Sequence, residues 1–111
     1  SQILTGSNMD ALTTEQPLLE YLPVPLKIWQ QLQVSPVAKM CEYWASLPCP
    51  IRQQWMSLAK CAPYDTPGTP TWMGLEQDDR VAILRVMNKV RSIYIASDFT
   101  HSWRVVAAMG A

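Results

Sequence analysis

The chain has 111 residues, enough for one domain whose core needs no staples. Nearly half of it (49%) is apolar and five residues are Trp, which excludes a chain disordered throughout. Nine acids balance nine bases, which excludes a protein that coats a polyanion with its whole surface.

The charge is unevenly spread. Ser1 to Asp79 holds eight acids and four bases, whereas Arg80 to Ala111 holds five bases against Asp98 alone, so positive charge gathers in the last third. Three cysteines, Cys41, Cys49 and Cys61, are an odd number with no evident secretory signal, and reduced thiols in the cytoplasm are expected. No apolar run approaches the roughly 20 residues that cross a bilayer, so no membrane association is expected.

Residues 1–16 are polar and aperiodic and are expected to form a flexible arm, with residues 17–111 as one helical domain. The first eight, SQILTGSN, can be an addition ahead of a native start at Met9. Pro17 can open a short helical turn through Leu18, Leu19, Tyr21 and Leu22, which Pro23 and Pro25 end. Pro25 then suits the start of a helix to about Gln33, with Leu26, Ile28, Trp29 and Leu32 as its stripe. Ser35-Pro36 signals a cap and a first helical residue. The helix it opens, to about Leu47, turns Val37, Met40, Cys41, Trp44 and Leu47 to one face. Pro48 stops it and Pro50 restarts the chain at a sharp corner. Ile51, Trp55, Leu58 and Ala62 align on the next helix, which Pro63 ends.

From Pro63 to Gly74 the chain carries three Pro and two Gly and reads as a long loop, anchored to the core by Trp72 and Met73. The stretch that organises the rest follows, from Leu75 to Ala96. It is the longest run without Pro or Gly, and it places Ile83, Val86, Met87, Val90, Ile93 and Tyr94 on one helical face. Glu76, Asp78 and Asp79 sit in its first turn, where the helix dipole favours acids. Ser97-Asp98 is expected to cap a last helix with Phe99, Trp103 and Val106 at helical spacing. The fold class is all-α, a bundle of five or six helices around residues 75–96.

Catalytic signals are weak. The only histidine is His101, and neither a Gly-x-Ser-x-Gly elbow nor a Gly-rich phosphate loop occurs. Adjacent Asp78 and Asp79 point about 100° apart on a helix and cannot hold a metal from one face. The cysteine spacings of seven and eleven residues do not match zinc knuckles. No enzyme, cofactor, metal or small-molecule substrate is expected; Cys41 reads as core filler and Cys61 as an inert boundary residue.

Two surfaces remain. Val81, Leu84, Asn88, Arg91 and Ile95 follow a 3-4-3-4 spacing on the side of the long helix away from its core stripe, as a helix-pairing seam does. Val81, Leu84 and Ile95 lie about 120–180° from the centre of that stripe and cannot all reach the same core. A partner protein, a second copy making a homodimer, or the chain's own N-terminal helix or residues 99–109 must cover them. The leading expectation is therefore a non-catalytic helical interaction module, a small regulator or accessory subunit. Arg80, Arg85, Lys89, Arg91 and Arg104 carry the alternative, a small DNA- or RNA-binding regulator that uses the basic C-terminal third.

Overall fold

The computed structural model describes residues 23–65, 67–98 and 100–110, with backbone alone at Trp103 and Arg104. Five α-helices are seen among them: α1 (Leu26–Val34), α2 (Pro36–Ser46), α3 (Cys49–Leu58), α4 (Gln77–Ala96) and α5 (Trp103–Gly110). A single 3-10 turn, Trp72–Gly74, lies between α3 and α4, and the described residues contain no strand. The arm and the helical turn expected around Pro17 lie outside the described residues.

Proline punctuation sets these boundaries. Pro25 occupies the N-cap of α1, where its carbonyl accepts from the Ile28 and Trp29 amides at 3.0 and 3.2 Å. Pro36 is the first residue of α2 behind Ser35, whose side chain makes no capping bond. Leu47 and Pro48, both extended, turn the chain into α3. That helix ends at Leu58, short of the Ala62 limit expected, because Lys60 adopts a left-handed conformation with φ of 59°. The Lys60 amide donates to the Ser57 carbonyl at 3.0 Å and the Cys61 amide to the Met56 carbonyl at 2.9 Å, the paired bonds of a Schellman motif. Ala62 is consequently exposed rather than part of the core face.

One apolar cluster touches every helix. Helix α4 supplies Ile83, Met87, Val90 and Tyr94, all buried as the periodicity predicts, while Val86 and Ile93 at the edges of the stripe are half-buried. Trp44 and Trp55 are fully buried and come from α2 and α3. Trp72 packs tilted against Trp44 with ring centroids 5.5 Å apart, and the Trp44 indole donates to the Pro70 carbonyl at 2.9 Å. These two contacts anchor the proline-rich loop. Met73 takes no part in the anchor and faces solvent, because the 3-10 turn rotates it away from Trp72.

The last helix begins later than expected. Ser97 and Asp98 finish α4 instead of capping α5: Asp98 adopts φ of 56° and its amide donates to the Ile95 carbonyl at 3.0 Å. Ser102 opens α5, its carbonyl accepting from the Val106 amide at 3.1 Å and its hydroxyl from the Val105 amide at 3.4 Å. Val106 and Ala107 are buried, and a Cβ at Gly110 would stand 2.8 Å from Val90 Cγ2, so α5 meets α4 closely enough that a side chain there would force one of them to shift.

Candidate protein-binding groove

Helix α4 presents apolar residues on two faces. Its core stripe turns inward, while the opposite seam forms the floor of a groove of about 760 Å³ walled by α1 and the start of α2. Four of the five seam residues, Val81, Leu84, Asn88 and Arg91, line it; Ile95 lies beyond its end and is 50% exposed. Leu84 is half-buried and packs on the core edge, whereas Val81 stays 39% exposed. The chain's own α1 therefore takes up one edge of the seam and leaves the rest open.

The facing wall departs from the sequence expectation. Leu26 and Val37, expected on core stripes, are 58% and 60% exposed and line the groove instead. On α2, Tyr43, not expected on the core stripe, is buried, and Cys41 is half-buried. Position along the helix, not rotation, explains this: Val37 lies only about 20° from the buried Trp44 around α2 but sits in its first turn, beyond the reach of the core, while Met40, Tyr43 and Trp44 further along face inward. Trp29 completes the wall, its ring 5.8 Å beneath the Arg91 guanidinium in cation–π contact. These α1 and α2 residues are the ones sequence reasoning missed. Their apolar stripes gave the signal, which reads the same for a core face as for a groove wall.

The charge of the groove has one sign. Arg80, Arg85 and Arg91 line it, beside Gln30, Gln33, Gln77 and Asn88, and no acid does. Among the described residues the only ion pair joins Lys39 to Glu42 at 3.6 Å, so none of these arginines is neutralised there. Arg80 donates to the Leu75 carbonyl, which holds it against the base of α4. Arg85 is exposed and Arg91 half-buried. Lys89 is exposed outside the groove, and the Arg104 side chain lies outside the described residues. The basic set expected from sequence is thus divided rather than gathered on one plane.

The cysteines make a contrasting site. All three are free and half-buried. Cys61 stands close to Asp79, and desolvation, the Asp79 charge and a hydrogen bond with that carboxylate together push its thiol up to about 11. A thiol held protonated is a poor nucleophile. Asp79 also accepts from the Tyr64 hydroxyl, whose oxygen accepts from the Glu76 amide at 2.9 Å, so loop and helix start are tied together there. Burial and the Asp79 contact raise the Tyr64 hydroxyl as well. Among the described residues no three His, Cys, Asp or Glu side chains converge as metal ligands, His101 is exposed, and no helix is long and apolar enough to cross a membrane.

No family model, curated protein or solved structure matches the chain.

Proposed function

We propose that the protein is a non-catalytic helical interaction module, a small regulator or accessory subunit of the cytoplasm, which takes a helix from another polypeptide into the groove along α4. The observation that carries this reading is the exposure of Leu26, Val37 and Val81 around a half-buried Leu84. Contiguous apolar surface of this kind marks a place for a partner. A helix lying in an apolar groove, read through residues at i, i+3, i+4 and i+7, is a common mode of such recognition.

Sedimentation of the free chain and titration with a leucine-ridged helical peptide flanked by glutamine, followed by α4 amide shifts, test the reading. Self-association or peptide binding that Leu84→Glu abolishes supports it. A chain that stays monomeric at high concentration and binds no ridged peptide of any flanking charge removes it.

A second reading, nucleic-acid binding, is favoured by Arg85 and Lys89. They are exposed one turn apart on α4, and no carboxylate among the described residues pairs with either. Phosphates would be its ligand, and its binding would weaken steeply with salt.

A further inference from the structure

We infer that the groove selects an acidic amphipathic helix: an apolar ridge with carboxylates on both flanks, brought by a different protein rather than by a second copy of this chain. The inference rests on the proposed interaction module and names the chemistry of its partner.

The seam is bordered by positive charge on both sides. At about 100° per residue, Arg80 and Arg91 fall within about 20° of each other on the edge toward α1, and Arg85 falls about 120–140° further round, on the open edge. Leu84 and Val81 lie between them. A ligand seated on these two residues therefore meets a guanidinium on either side. Arg80 spends an N–H donor on the Leu75 carbonyl, whereas Arg91 meets Trp29 through the face of its guanidinium and keeps its in-plane donors, so Arg85 and Arg91 are the pair that reads the ligand's flanks. Guanidinium groups bind carboxylates through paired N–H donors, and a partner with acids at both edges completes what the groove lacks.

The same arrangement disfavours self-pairing. About a two-fold axis at Asn88, an antiparallel copy sets Arg85 against Arg91; in parallel register Arg85 meets Arg85. Either register places like charges together. A nucleic-acid backbone matches the arginines but wastes the apolar floor, since phosphates gain nothing from Leu84, Val81, Leu26 and Val37. From Gln77 to Arg91 the seam runs about 21 Å at 1.5 Å per residue, so the ligand helix has about four turns.

The test uses the full chain and three synthetic helical peptides. All carry Leu at the a and d positions of a heptad, with Glu, Gln or Lys at e and g. The inference expects the Glu peptide to bind more tightly than the Gln peptide and the Lys peptide weakest. Arg85→Gln and Arg91→Gln should each weaken the Glu peptide by about two- to fivefold, the range of half-exposed ion pairs. The double variant Arg85→Glu/Arg91→Glu should reverse the order and favour the Lys peptide, an effect that simple misfolding cannot give.

Equal binding of the Glu and Gln peptides overturns the inference while leaving the interaction module standing. Failure of every peptide, with a monomeric chain, overturns both. Self-association that excludes the Glu peptide assigns the groove to a second copy. A DNA duplex that displaces the Glu peptide at about 150 mM salt assigns it to phosphates. Residues 1–22 carry Asp10, Glu15 and Glu20 and no base. If Asp10→Asn/Glu15→Gln/Glu20→Gln moves the groove amides in the absence of any peptide, the occupant is the chain's own segment. Each of these last three outcomes also overturns the inference.

Discussion

Replacing Met87 with Ala and, separately, Leu84 with Glu separates the two faces of α4 in one experiment. Met87 is fully buried, so truncation removes its apolar atoms from the core and leaves a cavity that neighbours fill only partly. The expected cost is about 2–5 kcal/mol. Against the roughly 5–15 kcal/mol that holds a small domain together, this is a large fraction. With a urea m-value of about 1–2 kcal/mol/M, the midpoint should fall by about 1–5 M. Leu84 is half-buried on the groove floor, with Arg80 and Arg91 on the adjoining edge. Giving up about half of a leucine's burial costs about 1 kcal/mol, and the new carboxylate stays within reach of water and of those arginines. Leu84→Glu should therefore keep its helical circular dichroism and unfold close to the unmutated chain, while losing any self-association or peptide binding. If Leu84→Glu unfolds the chain as readily as Met87→Ala does, the seam belongs to the core and the groove is no docking surface. A Met87→Ala cost below about 1 kcal/mol would show that the buried stripe has been misassigned.

Further outcomes follow from single residues. Lys60→Gly should stabilise the chain by about 1 kcal/mol in chemical denaturation, since glycine adopts the left-handed position that closes the Schellman motif without strain. Burial, with Asp79 alongside, raises the Cys61 thiol from the usual 9.0 to about 11, so the stability it contributes is whole below about 9 and is lost as pH climbs to about 11. Tyr64, raised from 10.0, acts in the same direction at somewhat higher pH. Cys61→Ala should flatten that alkaline loss in a pH series of urea midpoints, and an unchanged slope would refute the Cys61 thiol as its origin. If the nucleic-acid reading holds, Arg85→Ala and Lys89→Ala should each lower the salt dependence of duplex binding by about one unit of slope, and no gel shift at about 50 mM salt eliminates that reading.

Much of this architecture was legible in the order of residues. Pro36, Pro48 and Pro50 mark helix starts and corners because their rings forbid anything else, and the stripe through Ile83, Met87, Val90 and Tyr94 has a period only a helix can satisfy. The seam through Val81, Leu84, Asn88 and Arg91 was legible for the same reason. Three things were not. Lys60 and Asp98 end helices in a conformation usually given to glycine, so no composition signal announces it. Ser97-Asp98 has the chemistry of an N-cap but closes α4, with Asp98 in a left-handed conformation, and α5 starts later, at Trp103. The opposite wall of the groove was hidden because Leu26 and Val37 satisfy an apolar stripe whether it faces inward or outward. Periodicity reports which residues share a side; it does not report whether another helix reaches that side.

Helix α1 has one buried residue, Leu32, with Ile28 and Trp29 packed partly on the core, and it joins α2 through Ser35 alone. A segment held by so few buried side chains is expected to open by local unfolding before the cluster beneath it. Its amides should exchange with deuterium sooner than those of α4, and the groove would then have one fixed bank and one that yields. A ligand helix laid against the fixed bank would draw the other down upon it. Its arrival would be registered first as slowed exchange from Trp29 to Gln33.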